Sequence, residues 1–298
     1  MLELSGKTAF VFGVASEDSI AWAICQKLAS AGVTLYLGYQ KRFMSRIFQL
    51  KDKLPQIAGF FPLDVASDEA TKEFFDAFSA ENPGKKADIL IHAIGFAPRS
   101  CFDRPILFVE DQDINTAMTI SANSLQRCLK FALPYLNANS STITLTYAAS
   151  NRYVPSYGIM SMAKAALECW TRELACHLGP EGHRVNAISS GPIRTIAASG
   201  IPGFDNILDH VKNNSPLRRN VTQSDVAGCT TWLASALSSG VTGQCIHVDA
   251  GYAKEEIDVE YKNNKIETGF NSKYLLEMTS VLEGDKIKMH FNDSSSPT

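Results

Sequence analysis

Short apolar runs alternate with amphipathic segments along most of the chain, and this pattern predicts a parallel α/β sheet. Residues 8–12 predict a first strand, residues 19–30 a helix that ends before Gly32, and residues 33–37 a second strand. Such a strand, helix and strand unit is the crossover that joins parallel strands. The same alternation continues to residue 253.

The remaining elements follow from the same periodicities. Further strands are expected at residues 59–65, 88–97 (the end of which opens into a turn), 141–147, 184–190 and 244–248, and further helices at residues 67–80, 111–136, from Tyr157 to Gly179, and after a cap at residues 222–225. Together they predict a doubly wound parallel sheet of the Rossmann type, built as one domain over residues 1–253.

Residues 254–298 differ in character and form a C-terminal extension to this domain. Charged residues are frequent there, and two alternating stretches, 257–261 and 286–291, stand beside turn-type residues. We expect one or two β-hairpins followed by a loose end. A lone hairpin is marginally stable in water, so we expect the extension to dock, where it would modify assembly or cover the entrance of the site.

The amino-acid composition indicates which kinds of partner the protein can be expected to bind. The formal net charge is -3 and 45% of residues are hydrophobic, so the chain can bury a large core and has no basic surplus for nucleic acid or an anionic membrane. The seven cysteines include no Cys-x-x-Cys pair, which favours a reducing compartment and no zinc site. The N-terminus shows neither a signal peptide nor a membrane span. We therefore expect a cytoplasmic enzyme with a small ligand.

The loop after the first strand is the candidate phosphate site, because Rossmann folds bind pyrophosphate at this helix N-terminus. It contains Gly13 but departs from Gly-x-Gly-x-x-Gly; small residues and the hydroxyls of Ser16 and Ser19 would have to compensate. An ordinary capped helix start explains the same residues equally well. Glu17 and Asp18 are expected to face solvent, since they would repel phosphate.

The next strand ends supply candidates for the rest of a dinucleotide. Gln40 stands where such folds recognise the adenosine ribose; it is neutral, and Lys41 and Arg42 are available to a 2′-phosphate, so NADH and NADPH both stay open. Asp64 and Val65 would flank the adenine.

Later strand ends would contact the nicotinamide half of the cofactor. Gly95 would let it pass close to the backbone, Ile193 would press on the nicotinamide, and Thr195 would bond to the pyrophosphate. His92 is better explained as a satisfied interior histidine than as a base. Residues 197–204 are explained equally well as a lid over an apolar substrate and as a plain connection.

Tyr157 and Lys164 are the candidate catalytic pair. They are seven residues apart, which in a helix places both on one face, with Met160 between them. A fixed cation favours charge near a tyrosine hydroxyl that stabilises a developing enolate oxygen. Tyr147 ends the preceding strand and strengthens the interpretation.

Several of these stretches carry a family resemblance. They are Gly13 to Ser16 with Ser19 to Ala21, then Ile94 to Ala97, then Tyr147 with Tyr157 and Lys164, and above all the run from Gly179 to Ile201. Residues 1 to about 253 resemble the bacterial NADH-dependent enoyl-acyl-carrier-protein reductases, divergent members of the short-chain dehydrogenase/reductase superfamily. Ordinary members of that superfamily place the lysine four residues after the tyrosine, where this chain has Ser161.

The resemblance implies a reaction and a set of roles. Hydride would pass to the β-carbon of a trans-2-enoyl thioester; Tyr157 would stabilise the enolate, Lys164 would hold the cofactor ribose and Tyr147 would support the site. The implied cofactor contacts are Gly13, Ser19, Ile20, Gln40, Asp64, Val65, Gly95, Lys164, Ile193 and Thr195. The implied acyl contacts are Phe96, Ala97, Met160, Ala197, Ile201 and Phe204. A homotetramer and an acyl carrier protein partner are implied as well.

The chain departs from the family near the expected lid. No Lys or Arg occurs from residue 202 until Lys212, so an acidic carrier would have to bind Lys212, Arg218, Arg219 or the extension, or the preferred substrate would be a coenzyme A thioester. The alternatives kept open are a reductase of another acyl thioester, such as enoyl-CoA, and a non-catalytic dinucleotide-binding paralogue that acts through its extension.

Overall fold

The sheet is entirely parallel and places its strands in the order 3-2-1-4-5-6-7. The structure is a computed structural model, and it describes residues 2–196 and 198–253. The strands are β1 (Thr8–Phe12), β2 (Thr34–Tyr39), β3 (Ile57–Pro62), β4 (Ala87–His92), β5 (Leu136–Thr146), β6 (Arg184–Ser190) and β7 (Cys245–Val248). The strand order reverses between β1 and β4, and a crevice opens at such a switch point.

Helices cover both faces of this sheet. They are α1 (Ile20–Ser30), α2 (Met44–Lys51), α3 (Asp68–Glu81), α4 (Ser100–Asp103), α5 (Asp111–Met118), α6 (Ser124–Ala132), α7 (Ile159–Leu178), α8 (Phe204–Asn214) and α9 (Gln223–Ala234). The predicted doubly wound Rossmann-type fold is therefore confirmed. Residues up to Ala253 form one compact unit, and no helix in the described part of the chain is long and apolar enough to cross a membrane. The predicted hairpins lie outside the described residues.

The two faces of the sheet are packed with different side chains. Because residues of a strand alternate between faces, Ala9 and Val11 of β1 join an aliphatic cluster under α1 and α9. Phe10 and Phe12 point the other way and meet α3, where the ring centroids of Phe10 and Phe78 lie 4.8 Å apart in an edge-to-face arrangement. Packing on both faces fixes the position of β1, and with it the start of the loop at Gly13.

The prediction of one helix over residues 111–136 is wrong. A π-helical turn, Thr119–Asn123, separates α5 from α6, and a 3-10 turn, Leu133–Tyr135, precedes β5. Pro134 ends the regular helix because it lacks the N–H that a further turn requires. Proline does not explain the π-turn, since neither Pro nor Gly occurs between residues 111 and 132.

Candidate active site

The predicted site residues follow the carboxyl ends of neighbouring parallel strands. Gly13 follows β1, Gln40 follows β2, Gly95 lies just beyond β4, and Tyr147 is the residue after β5. Because the strands are parallel, these residues lie along one edge of the sheet, on both sides of the switch point. The topology therefore brings the candidate cofactor residues and the candidate catalytic residues to one edge.

Gly13 lies where the loops after β1 and β4 touch. Its φ is +103°, and a Cβ built on it would lie 2.0 Å from the carbonyl oxygen of Ala93. The Ala93 amide in turn donates to the Phe12 carbonyl oxygen at 3.0 Å. Only glycine permits this backbone and this contact, which keeps the floor of the crevice free of side chains.

The two serines of the β1 loop play different parts. Ser19 is the N-cap of α1: its Oγ accepts from the Trp22 amide at 3.2 Å and donates to the Ser16 carbonyl oxygen at 2.7 Å. The Ser16 Oγ is buried and has no hydrogen-bond partner within the described residues. A buried hydroxyl without a partner is costly unless a ligand supplies one. The loop therefore fits the diphosphate of a dinucleotide, and Ile20 lies in the first turn of the helix behind it.

The acidic residues of this loop face solvent, as predicted. Glu17 and Asp18 are exposed, and Glu17 forms an ion pair with Lys53. At the next strand ends, Gln40 is half-buried, while Val65 is buried and Asp64 is exposed, its carboxylate accepting from the Ala66 amide at 3.0 Å. These positions follow the carboxyl ends of β2 and β3.

The prediction that Tyr157 and Lys164 share one helix is wrong, because α7 begins only at Ile159. Gly158 interrupts the chain between them: its φ is +53°, and a Cβ there would lie 2.4 Å from the Cys101 carbonyl oxygen. Tyr157 therefore lies on a turn before the helix, and its amide donates to the Val154 carbonyl oxygen at 3.3 Å.

Tyr157 nevertheless lies among the residues that were expected around it. It forms a buried cluster with Ala149, Met160 and Ala163. Half-buried side chains pack against this cluster, namely those of Ala97, Phe102, Met118, Tyr147, Val154 and Ile201. The Tyr147 and Tyr157 ring centroids are 4.9 Å apart, with an interplanar angle of 54°. An apolar chain is the kind of substrate that such a lining suits.

Lys164 is buried beneath the loop after β4. Its ammonium donates to the Leu145 carbonyl oxygen at 2.8 Å. A Cβ at Gly95 would lie 3.7 Å from the Lys164 Nζ and 3.9 Å from the Met160 Cε. Gly95 therefore borders the lysine and the apolar cluster directly, as a close approach by a ligand would require.

Burial perturbs the ionisation of this group of residues. It raises the pKa of the Tyr157 phenol well above its usual value, with the neighbouring Tyr147 as a second cause. It raises the pKa of Tyr147 to about 12. It lowers the pKa of Lys164 to about 8, an effect that Glu168 partly opposes. Near neutral pH, both tyrosines thus keep the protons that they would donate.

The loop after β6 supplies the remaining predicted residues. Ile193 is buried and Thr195 is half-buried, with its Oγ1 accepting from the Ala198 amide at 3.1 Å. Ile201 packs on the tyrosine cluster. Ala197 lies outside the described residues. Phe204 does not belong to the cluster; it begins α8, so the segment 197–204 ends in a helix and is not a loop throughout.

Phe96 also lies apart from the cluster. Its side chain is exposed, and the Arg42 guanidinium lies 5.6 Å from its ring centroid, an arrangement that allows a cation–π interaction. Arg42 therefore lies between the ribose-reading position after β2 and the loop after β4. The structure does not bring Phe96 and Phe204 together with Met160 and Ala97.

Sequence reasoning missed some of the residues that build the site. Met118, Phe102 and Val154 join the tyrosine cluster, and no motif pointed to them because they come from three separate segments. Ser121, in the π-turn, bonds both backbone groups of Phe96. His92 is buried, and its two ring nitrogens contact hydroxyl groups at 2.9 and 2.8 Å, so its interpretation as a satisfied interior histidine is confirmed.

A parallel sheet of this order, with a side-chain-free floor and a hydroxyl without a partner at its switch point, is typical of Rossmann-type dinucleotide-dependent oxidoreductases. Comparison of sequences identifies the family within that class. The sequence model of the family described as enoyl-(acyl carrier protein) reductase matches residues 13–253. The chain belongs to this family.

The similar proteins agree with the family match. The NADH-dependent enoyl-[acyl-carrier-protein] reductase of Synechocystis sp. is 42% identical over 257 residues, which cover 85% of this chain and 98% of that protein. The Bacillus cereus enoyl-acyl carrier protein reductase, solved with NADP+ and indole naphthyridinone, is 38% identical with a TM-score of 0.81, covering 85% of this chain and 98% of that one. The Anaplasma phagocytophilum reductase, solved with NAD, is 35% identical with a TM-score of 0.79, covering 85% and 97%.

A second family model matches the end of the chain. It is described as the DNA polymerase III beta subunit, C-terminal domain, and covers residues 243–298. The match overlaps β7 and includes the whole C-terminal extension. Since the Synechocystis enzyme is covered almost completely by 257 residues of this chain, the extension has little counterpart there.

Proposed function

We propose that this chain is an enoyl-acyl-carrier-protein reductase that uses NADH to reduce the double bond of a trans-2-enoyl thioester in fatty acid synthesis. The observation that carries the proposal is the common location of Tyr147, Tyr157 and Lys164 beside a dinucleotide-type crevice. Family membership supports the reaction, and relatives named for the same activity support the cofactor.

When bound, the reduced nicotinamide supplies a hydride, which would go to the β-carbon of the thioester. The electron pair of the double bond would then move towards the carbonyl, and negative charge would develop on the thioester oxygen. Tyr157 would donate a hydrogen bond to that oxygen. Addition of a proton at the α-carbon completes the saturated thioester.

The raised pKa of Tyr157 supports this role, because burial keeps the phenol protonated and able to donate. A preformed donor aimed at developing charge is the largest contribution to catalysis in many enzymes. Lys164 would hold the cofactor ribose, and its positive charge would favour the enolate. Tyr147, with its pKa raised to about 12, would support the site as a second protonated phenol.

Residues of the crevice would hold the dinucleotide. The unpartnered Ser16 hydroxyl and the amides at the start of α1 would face the diphosphate, beside Gly13. Gln40, Asp64 and Val65 would border the adenosine, and Gly95, Ile193 and Thr195 the nicotinamide half. Ala97, Met160 and Ile201 would line the acyl chain, with Phe96, Ala197 and Phe204 at its margin.

The test is an assay of NADH and NADPH consumption with crotonyl thioesters of acyl carrier protein and of coenzyme A, beside a ketoacyl thioester. We expect oxidation of NADH with the enoyl substrates and little with the ketoacyl one. Consumption with the ketoacyl thioester alone would assign the chain to another reductase class. Consumption of neither cofactor, together with measurable NADH binding, would favour the non-catalytic paralogue.

We also propose a surface for the carrier. Arg194 pairs with Asp205 at 2.6 Å and Arg219 with Asp225 at 2.7 Å, so both are partly neutralised. Lys212 and Arg218 are exposed, and no carboxylate in residues 2–196 and 198–253 lies within ion-pair distance of either. An acidic carrier would bind these two residues.

Replacing both Lys212 and Arg218 with glutamine should raise the KM for the carrier thioester but leave the KM for the coenzyme A thioester unchanged. Equal effects on both KM values would argue against this surface.

We propose further that the domain boundary lies at residue 253, that the reductase domain assembles as a homotetramer, and that it works in the cytoplasm. The free state of all seven cysteines supports a reducing compartment. The compact unit formed by residues up to Ala253 supports the boundary. Truncation after Ala253 tests the extension: unchanged oligomer size and kinetic constants would argue against a role in assembly or at the entrance of the site.

A further inference from the structure

The π-turn Thr119–Asn123 is an irregularity of the fold next to the site, and the proposed reaction assigns it no role. Kinks in helices usually have a proline, a glycine or an inserted polar group as their cause, and π-turns occur frequently at functional sites. Neither Pro nor Gly is present here. The side chains of the turn therefore have to explain it.

Ser121 ties the turn to the loop after β4. Its side chain is completely buried. Its Oγ donates to the Phe96 carbonyl oxygen at 2.7 Å and accepts from the Phe96 amide at 2.8 Å. Phe96 lies beyond the end of β4, where no strand pairing satisfies its backbone. One hydroxyl thus bonds the backbone N–H and the carbonyl oxygen of Phe96, as a neighbouring strand would do in a sheet.

The rest of the π-turn is anchored on two sides. The Asn123 Oδ1 accepts from the Trp170 Nε1 of α7 at 3.1 Å. Ser124, the next residue, donates to the Ile120 carbonyl oxygen at 2.6 Å and contacts the His92 Nε2 at 2.8 Å. The turn is therefore fixed to α7 and to β4, and Ser121 transmits this fixed position to the loop.

The loop held in this way borders the reacting region. Gly95, one residue before Phe96, approaches Lys164 and Met160. Ala97, one residue after it, packs on the cluster that contains Tyr157. A shift of the Phe96 peptide would therefore move both neighbours relative to the catalytic side chains.

We propose that Ser121 is a positioning residue of the reductase site, which fixes residues 95–97 against Tyr157 and Lys164 through its two hydrogen bonds to Phe96. The proposal rests on the proposed function, because it assigns the purpose of those residues to substrate and cofactor alignment. Ser121 contacts neither reacting group. It acts through the loop.

The experiment compares four variants of the full-length protein. Ser121→Ala removes both bonds, Ser121→Cys keeps the size but bonds weakly, and Ser121→Thr keeps the hydroxyl. Ser141→Ala is the matched control, since Ser141, in the middle of β5, is also buried and donates one bond, to the Leu233 carbonyl oxygen at 2.8 Å. We measure kcat and KM for an enoyl thioester, the dissociation constant of NADH by fluorescence, the thermal midpoint, and amide exchange at Phe96.

We expect Ser121→Ala to lower kcat/KM by about tenfold to a hundredfold, because small misplacements near reacting groups have effects of this size. Its Phe96 amide should exchange about tenfold or more faster. Ser121→Thr should recover most of the activity and Ser121→Cys little; if the threonine variant fails to fold, the cysteine variant still separates bonding from volume. Ser141→Ala should lower the thermal midpoint similarly without changing kcat/KM.

Kinetic constants and Phe96 exchange in Ser121→Ala that match those of Ser141→Ala would overturn the proposal, as would a fully active Ser121→Cys. The outcome is separable from the proposed function. If wild-type protein reduces no enoyl thioester, that function fails, while Phe96 exchange and NADH binding still report whether Ser121 fixes the loop.

Discussion

The loops after β1 and β4 lie side by side at the switch point, and the buried hydroxyl at each of them differs in its hydrogen bonding. In the β4 loop, the Phe96 peptide is fully satisfied by Ser121. In the β1 loop, the Ser16 Oγ has no partner among the described residues. Buried polar groups normally have partners. We therefore interpret the satisfied group as scaffold and the Ser16 hydroxyl as the place where the proposed diphosphate would supply a partner.

Tyr157 belongs with Ser16 in this comparison. Within the described residues its hydroxyl makes no hydrogen bond; the residue is largely buried, although the hydroxyl oxygen, unlike the Ser16 Oγ, is not fully enclosed. The open hydroxyls thus lie at the proposed diphosphate position and at the proposed enolate position. Four predictions test the contrast between the two loops and between open and satisfied groups.

The largest effect is expected where the two loops touch. Gly13→Ala would place its Cβ 2.0 Å from the Ala93 carbonyl oxygen, so we expect the free energy of unfolding to fall by about 3 kcal/mol or more. Gly84→Ala is the control: its φ is also positive, at +74°, but no atom lies within 4 Å, and its loss should be about 1 kcal/mol. Urea denaturation measures both. Equal losses would contradict the contact.

Tyr157→Phe removes an open hydroxyl and should lower turnover by roughly a hundredfold or more, as loss of an oxyanion donor does elsewhere. The fold should be unaffected, because no protein bond is lost. Tyr153→Phe is the matched control, since Tyr153 is 87% exposed and should keep full activity. Turnover that is unchanged in Tyr157→Phe would remove this phenol from the mechanism.

The buried lysine should make stability depend on pH. Its pKa is lowered to about 8 by burial, so between that value and the ordinary one of about 10.5 the unfolded chain binds more protons and stability rises with pH. Buried thiols such as Cys128, with raised pKa values, act in the opposite sense above about pH 9. The lysine contribution is therefore the difference between wild type and Lys164→Met.

The free energy of unfolding of wild type minus that of Lys164→Met should increase by about 2 kcal/mol from pH 8 to pH 10. Denaturant titrations of both proteins at several pH values measure it. The tyrosines, whose pKa values are raised from about 10, oppose folding only above this window. A difference that stays flat would mean that the ammonium is as well solvated in the folded protein as in the unfolded chain.

The smallest effect is expected at Ser16. Ser16→Ala removes a hydroxyl without a partner, so stability should be unchanged or slightly higher. NADH should bind about fivefold more weakly, corresponding to about 1 kcal/mol for one lost hydrogen bond. Fluorescence titration measures the NADH affinity of both proteins, and a thermal melt measures their stability. A clear loss of stability with unchanged NADH affinity would mean that Ser16 supports the fold and does not contact the cofactor.

The sheet could be predicted well from the sequence, because the apolar pattern that indicates a strand lies within a few consecutive residues. The predicted bounds of β1 and β6 agree with the structure at both ends. In β1, Ala9 and Val11 alternate with two phenylalanines, and in β6 five of the seven residues are apolar or small. The N-terminus of α9 was equally clear, because Thr222 and Asp225 form a reciprocal capping box.

Two of the errors involve contacts between distant parts of the chain. The π-turn keeps the amphipathic pattern of a helix, and its Ser121 bonds to Phe96 in a distant segment. The late start of α7 follows from the approach of Gly158 to Cys101. Neither partner can be inferred from local sequence. The open state of Ser16 likewise becomes visible only when all of its neighbours are known.

The turn at Gly158 has a consequence for how this catalytic pair can be recognised in other chains. If phenol and ammonium stood on one helix, their separation would be restricted to multiples of the helical repeat. Here a glycine outside the helix sets the direction of the tyrosine, so the number of intervening residues is free to change without rotating one group away from the other. Neighbouring branches of a superfamily can then keep the same pair of functional groups at different spacings, and a search for one fixed interval would overlook them.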